Sequence, residues 1–213
     1  LSVIHIVDRV SSTNTWLSTN STGGNDCIIA LQQTRGKGRG DRVWESPPGG
    51  LYLSISSPSC SLLPLIVGIS VVQTLVGLGN RLRLKWPNDI ILDGKKVGGI
   101  LCEGDDKRAV AGIGINLNNI PSFPNSTNLA SIGYDLDEYR FSKSFFMVLR
   151  ENLQKSNKDI ISRFRDHDCL LGKDISWGFG ATGIAKSINF DGSLEVLSDG
   201  KLVNLYSGDV HLE

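Results

Sequence analysis

The sequence predicts an α+β fold, in which a central mixed or antiparallel sheet is flanked by helices and followed by a small all-β unit. Strand-like segments with alternating, β-branched residues recur through the first 120 positions, whereas only a few segments have helical character. After about residue 172 the chain consists of short strand-like segments separated by turns. A length of 213 residues, 40% of them hydrophobic, suits one medium domain with a small appendage.

The first part of the chain alternates strands with helices. Strands are predicted at residues 1–10, 26–34 and 50–57, and helices from 11–19 and across 62–79. The segment 62–79 is strongly apolar, but it contains three glycines, Gln73 and Pro64, which suits a first helical turn. We therefore interpret it as a helix packed in a core and not as a membrane span.

The second part begins with strands and ends in the all-β unit. Residues 81–92 predict a strand broken by Pro87, followed by a tight turn at 93–96. Residues 97–118 predict two strands joined by a charged turn, and 121–128 a loop. Apolar residues at helical spacing predict a helix over 141–166. Short strands are predicted at 175–180, 182–190, 191–197, 198–206 and 207–212.

The overall composition excludes several classes of protein. Lys plus Arg and Asp plus Glu both number 22, so no global field attracts nucleic acid or an acidic membrane, and an anion site has to be local. The four cysteines lie far apart without a CxxC pair, and only three histidines are present, which disfavours a zinc site. The simplest location for such a chain is a reducing cytoplasm.

One glycine-rich loop concentrates positive charge. Within residues 35–42 stand Arg35, Lys37, Arg39 and Arg42, interleaved with three glycines. Glycines let backbone N–H groups approach a phosphate, and the basic side chains neutralise it. The spacing fits neither the Walker sequence nor GxGxxG, and a solvated surface loop is the alternative. Because cations repel and glycine is flexible, we expect the loop to close and order only on an anion, so that an ordered loop implies a bound ligand or a lattice or subunit contact.

Other polar segments offer ligands, each with a structural alternative. Asp89 could hold a divalent cation and Asn88 could donate to a substrate oxygen, or both could belong to a strand-end turn. Lys96 precedes a glycine pair, where it could meet a ligand carboxylate or simply lie in solvent. The hydroxyls of Ser12 and Thr13 could bind a ligand, or cap a helix.

Five segments together resemble the catalytic domain of the biotin protein ligases, in order and at family-like separations. They are SSTN at 11–14, QTRGKGRGDRVWESPPGGLYLS at 33–54, KWPNDI at 85–90, KKVGGIL at 95–101 and GIGINLN at 112–118. The resemblance implies a class II synthetase-like catalytic domain over 1–171 and a small SH3-like β-barrel over 172–213. The family's N-terminal DNA-binding segment is absent from the N-terminus, so we expect a short form.

The resemblance also implies the reaction. Biotin and ATP give biotinyl-5′-AMP and pyrophosphate, and the biotinyl group then passes to a lysine of the biotin carboxyl carrier domain of a carboxylase. The implied cofactors are ATP and Mg²⁺, with biotin as substrate. The implied partners include no DNA and no membrane, and a homodimer stays open.

The resemblance assigns roles to individual residues. Catalytic roles fall on Lys96 and Arg39. Biotin-binding roles fall on Ser12, Thr13, Gln33, Gly36, Lys37, Lys96 and Gly99, of which the first three suit the ureido ring. Adenylate-binding roles fall on Arg39, Arg42, Trp44, Asn88, Asp89 and Asn116, and Asp89 also suits Mg²⁺.

Two departures from the family pattern concern the basic loop. Lys37 stands where the family has arginine, and the order of Gly40 and Asp41 is reversed. Because lysine lacks the planar fork of arginine, we expect looser closure of the loop over the intermediate. A lipoate or octanoate ligase is the nearest alternative, but Ser12, Thr13 and Gln33 suit a ureido ring better than an apolar slot would. A non-catalytic nucleic-acid-binding module is a second alternative, which the balanced charge disfavours.

Overall fold

The computed structural model describes residues 3–21 and 26–213, so Leu1 and Ser2 of the first predicted strand lie outside the described residues. The described strands are β1 (Ile4–Val10), β2 (Cys27–Gln33), β3 (Gly50–Pro58), β4 (Leu82–Lys85), β5 (Asp89–Leu92), β6 (Lys95–Gly104), β7 (Arg108–Asn116), β8 (Asp174–Trp177), β9 (Ala181–Ile188), β10 (Leu194–Ser198), β11 (Lys201–Leu205) and β12 (Val210–Leu212). The described α-helices are α1 (Thr13–Asn20), α2 (Leu63–Thr74), α3 (Glu138–Asn152) and α4 (Asn157–His167). Short 3₁₀ segments cover Val76–Arg81 and Leu129–Ile132.

The central sheet is mixed, as the sequence predicts. Its seven strands lie in the order β1-β2-β3-β7-β6-β5-β4. β1 and β2 run parallel, and every other neighbouring pair is antiparallel. The register places Asp89 opposite Gly99, and Gly99 opposite Gly114. Three of the polar segments singled out in the sequence therefore meet in one row across β5, β6 and β7.

The apolar segment 62–79 forms the centre of the core. α2 packs on the sheet and on α3 and α4, and most of its side chains are buried. The helix is shorter than predicted and ends at Thr74, after which a 3₁₀ segment contains Gly79 with a positive φ of 51°. A positive φ is favourable for glycine and ends regular helical geometry. In the described part of the chain no helix is both long and apolar enough to span a membrane.

The single helix predicted over residues 141–166 is two helices. α3 ends at Asn152 and α4 begins at Asn157, after a short turn. Ser156 caps α4 by accepting a hydrogen bond from the Asp159 N–H at 3.2 Å. A serine that bonds to the backbone in this way favours a helix start over a helix interior. Both helices still place apolar side chains in the core, so the periodicity of the sequence predicts the buried face correctly although the helix is interrupted.

A second sheet follows α4. Its five strands are antiparallel in the order β11-β10-β9-β8-β12, which agrees with the predicted all-β unit. Its buried residues, such as Ile175 and Val196, belong to the same hydrophobic cluster as the core around α2. The indole Nε1 of Trp86 donates to the Gly192 carbonyl at 2.8 Å and ties the two parts together. The boundary at residue 172 stays a prediction.

Candidate active site

One cleft of about 410 Å³ brings the predicted site residues together. Those that line it are Ser12, Thr13, Gln33, Lys37, Arg39, Arg42, Trp44, Asn88, Asp89, Lys96, Gly99 and Asn116. Gly36 instead lies buried beside the cleft, where a Cβ would stand 2.3 Å from the Trp44 carbonyl oxygen. Its own carbonyl accepts from the Trp44 N–H at 2.9 Å, so Gly36 anchors the base of the basic loop.

A buried polar cluster forms the wall predicted to bind a ureido ring. The Gln33 side-chain oxygen accepts from the Thr13 N–H at 2.8 Å and from the Thr13 hydroxyl at 3.0 Å. Its side-chain nitrogen donates to the Ser46 hydroxyl at 2.8 Å. Ser12 caps α1, and its hydroxyl accepts from the Thr15 N–H at 3.4 Å. The capping alternative for Ser12 is therefore realised, and the side chain still faces the cleft.

Behind this wall lies a network that the sequence analysis missed. Asn14 is 5% exposed, and its Nδ2 donates to Glu103 Oε2 at 2.8 Å and to the Leu101 carbonyl at 3.2 Å. The hydroxyl of Ser54 donates to Asn14 Oδ1 at 2.6 Å. A Cβ on Gly112 would stand 2.2 Å from that same oxygen, so a larger residue there would displace the Asn14 side chain from its hydrogen bonds. Asn14 belongs to the SSTN segment, which was the one available sequence signal for this network.

Lys96 and Asp89 face each other across β5 and β6. The Lys96 Nζ lies 2.6 Å from Asp89 Oδ1, and Lys85 Nζ lies 3.4 Å from Asp89 Oδ2. The Lys96 ammonium also lies 5.5 Å from the centre of a Trp44 ring, within range of a cation–π contact. Lys96 lines the cleft with its side chain 38% exposed, and its contact with a ligand carboxylate stays a prediction. The alternative of a lysine free in solvent is not what the structure shows.

The Trp44 ring rests on the glycines of the central sheet. Cβ atoms built on Gly99 and Gly114 would lie 3.3 Å from its Cζ3 and 2.4 Å from its Nε1, respectively. The Nε1 donor is buried and has no hydrogen-bond partner among the described residues. In this structure the room over Gly99 thus holds an indole, and a ligand acceptor could satisfy its N–H.

Two asparagines predicted to contact the adenylate hold neighbouring segments of the chain. Asn88 donates to the Ile100 carbonyl at 2.7 Å, while its buried Oδ1 lacks a partner within the described segments. Asn116 donates to the Thr127 carbonyl at 3.0 Å and accepts from Asn119 at 3.1 Å. Their contacts to an adenylate stay predictions.

The basic loop is closed over the cleft by carboxylates of the chain itself. Lys37 Nζ lies 3.5 Å from Glu103 Oε1. Arg39 and Arg42 both contact Asp209, which stands between β11 and β12. Hydrogen bonding from Arg42 lowers the pKa of the Asp209 carboxyl below its ordinary value, and the same contact raises the pKa of Arg42. We expected a ligand or a neighbouring molecule to hold the loop, whereas in this structure carboxylates of the same chain hold it. No local motif marks Asp209, so the sequence did not predict its part.

Comparison with known proteins agrees with this geometry. Residues 6–119 match the model of the biotin/lipoate A/B protein ligase family. The chain belongs to this family. The bifunctional ligase/repressor BirA of Escherichia coli is 29% identical over 98% of the chain and 74% of its own length. The biotin–[acetyl-CoA-carboxylase] ligase of Mycobacterium tuberculosis is 26% identical over 97% of the chain and 88% of its own length.

A solved structure of this family has the same fold. The biotin protein ligase from Aquifex aeolicus, in complex with biotin and ATP, superposes with a TM-score of 0.89. It is 29% identical, and the match covers 100% of both chains. The predicted fold class, with a mixed central sheet and a second antiparallel sheet, is therefore confirmed.

Proposed function

We propose that this chain is an ATP-dependent biotin protein ligase that forms biotinyl-5′-AMP and then biotinylates a lysine of a carrier protein. The observation that carries the proposal is one cleft that joins a neutral hydrogen-bonding wall to four basic side chains. The wall of Ser12, Thr13 and Gln33 suits a ureido ring, and the basic side chains suit a carboxylate and a phosphate. The Mycobacterium tuberculosis relative and the Aquifex aeolicus structure are named as biotin ligases, which favours biotin over lipoate as the acid.

In the first step a carboxylate oxygen of biotin attacks the α-phosphorus of ATP, and the bond to pyrophosphate breaks. Two anions have to approach each other, and negative charge develops on the phosphoryl oxygens. Lys96 is placed to hold the biotin carboxylate, while Arg39 is placed to bind the phosphate. Gly99 and Gly114, which lie opposite each other on β6 and β7, leave room for the Trp44 ring beside Lys96.

The donors beside Lys96 fit a magnesium ion that arrives with ATP. Asp89 supplies a carboxylate and the neighbouring Asn88 a buried amide oxygen without a protein partner in the described residues. Mg²⁺ commonly takes one or two protein oxygens and completes its shell with phosphates and water. Bound there, the ion would supply neutralisation of charge on the phosphates of ATP.

In the second step the amine of a carrier lysine attacks the acyl carbon, and AMP leaves. The acceptor that the family's chemistry implies is a biotin carboxyl carrier domain. Closure of the basic loop over the mixed anhydride keeps water away until that amine arrives. A homodimer, the absence of a DNA partner and a cytoplasmic location stay predictions, of which the net charge of zero supports the second.

The test is biotin-dependent exchange of labelled pyrophosphate into ATP, with and without added Mg²⁺. We expect exchange with biotin and none with lipoate at the same concentration. Transfer of labelled biotin to a purified carrier domain then checks the second step. Exchange that prefers lipoate, or no exchange with either acid, would contradict the proposal.

A further inference from the structure

One carboxylate of the second sheet stands among the cations of the cleft. Asp209 lines the cleft, although 170 positions separate it from Arg39 in sequence. Its Oδ1 accepts from Arg39 Nη2 at 2.7 Å and from Arg42 Nη1 at 2.8 Å. Its Oδ2 accepts from Arg42 Nη2. A fixed negative charge at this place repels an incoming phosphate, so its position requires an explanation.

The two arginines hold Asp209 in different ways. Arg42 uses both terminal nitrogens on both carboxylate oxygens, which is the bidentate geometry that makes arginine–carboxylate pairs specific. Arg39 uses a single nitrogen, which it shares between Asp209 and the Gly208 carbonyl at 3.0 Å. The Arg39 contact is therefore the easier of the two to exchange for another anion.

We propose that Asp209 is a positioning residue of the adenylation reaction. It holds the basic loop closed while no phosphate is bound, and Arg39 exchanges Asp209 for the phosphate when the phosphate binds. The identity of that phosphate rests on the proposed function. Arg42 stays on Asp209 throughout and keeps the loop tied to the second sheet. Closure then persists in the complex, with Arg39 on the ligand and Arg42 on the protein.

This arrangement gives the second sheet a defined part in retaining the intermediate. The polar wall for the ureido ring is built from Ser12, Thr13 and Gln33, whose hydrogen bonds do not involve Asp209. Removal of the Asp209 charge should thus loosen the loop and accelerate dissociation of biotinyl-AMP. The affinity for biotin without the adenylate should stay close to that of the wild type.

Limited trypsin digestion of the full chain tests the closure without any turnover. The loop carries four basic residues after which trypsin cleaves, and cleavage of a loop follows the population of its open form. Asp209→Asn removes the charge at constant size, and Asp199→Asn, in the turn between β10 and β11, is the matched control. We expect the loop of Asp209→Asn to be cut roughly five- to tenfold faster than that of the control or the wild type. Asp209→Glu should restore part of the protection, which a merely structural role for the loop between β11 and β12 would not require.

The same digestion with biotinyl-AMP tests the transfer of Arg39. We expect the wild-type loop to stay as well protected with biotinyl-AMP as without it, weaker protection of Asp209→Asn, and several-fold faster release of biotinyl-AMP from that variant in stopped-flow measurements. Thermal unfolding of each variant reports whether the fold is intact. Cleavage of ligand-free Asp209→Asn at the wild-type rate would overturn the proposal. Faster cleavage of the wild-type loop after biotinyl-AMP is added would overturn the transfer of Arg39 to the phosphate, because closure should persist in the complex. Pyrophosphate exchange by the wild type reports separately on the proposed function.

Discussion

Replacement of Lys96 should separate catalysis from stability. Lys96→Met keeps an unbranched apolar stem but removes the ammonium 2.6 Å from Asp89. The pair is partly exposed, with side chains 38% and 16% accessible, so its loss should cost about 0–1 kcal/mol of folding free energy. Asp89 is not left unpaired, because Lys85 lies 3.4 Å from its other oxygen. For a chain of this length we expect a fall in Tm of no more than about 2–4 °C.

The effect on adenylation should be far larger. A charged group aimed at a developing anion is commonly worth about 10²–10³ in rate, or roughly 3–4 kcal/mol of barrier. The assay is biotin-dependent pyrophosphate exchange, with kcat and KM for biotin measured separately. Lys85→Met is the matched control, because Lys85 pairs with the same carboxylate but does not line the cleft.

We expect the control to retain activity close to that of the wild type and to lose similar stability. If both variants lost activity equally, the effect would come from the altered surroundings of Asp89, and direct contact of Lys96 with the reacting groups would be refuted. Wild-type exchange by Lys96→Met would likewise remove its catalytic role.

Three further changes have expected outcomes. Gln33→Leu leaves the Thr13 N–H without its acceptor, so it should lower the free energy of unfolding by about 1–3 kcal/mol. It should also weaken biotin binding measured by calorimetry, and an affinity for biotin equal to that of the wild type would contradict the role assigned to the wall. Gly114→Ala brings a methyl group within 2.4 Å of the Trp44 indole, which should shift its fluorescence and cost about 1–3 kcal/mol, whereas Gly77→Ala, whose nearest neighbour lies 4.0 Å away, should change neither. Burial raises the pKa of Asp168 from 3.8 to about 6, so protonation favours the fold, and stability in urea should fall as the pH rises from 4 through 6. Asp168→Asn should flatten this slope, and an unchanged slope would show that other groups cause it.

Much of the fold could be predicted because its signals are local. Alternating β-branched residues predicted the strands, and the change to short strands and turns predicted the second sheet. The differences between the predicted and the observed helices also have local causes. Gly79 interrupts the 3₁₀ segment that follows α2, and Ser156 caps a new helix inside a continuous apolar period. Periodicity reports which face is buried, but it does not report a break that keeps the face unchanged.

The site was predictable where its residues lie in compact motifs and not where they come from elsewhere. Lys96 and Asp89 were both selected from their segments, and the sheet register brought the segments together. Asp209 carries no pattern of its own, because its role arises only when the second sheet meets a loop 170 positions away. Asn14 belongs to the SSTN motif, but its part in the buried network depends on its hydrogen bond to Glu103. The spacing of residues in the sequence does not predict that contact.

The pairing of the basic side chains has a consequence for the ionic-strength dependence of the enzyme. All four cations that line the cleft, namely Lys37, Arg39, Arg42 and Lys96, are matched to Glu103, Asp209 or Asp89 before any substrate arrives. Binding of ATP is then an exchange of one anionic partner for another and not the neutralisation of bare charge. Dissolved salt weakens the contacts that are lost as well as those that are gained, so much of its influence cancels. The KM for ATP should therefore change less between low and high salt than four unpaired cations would require.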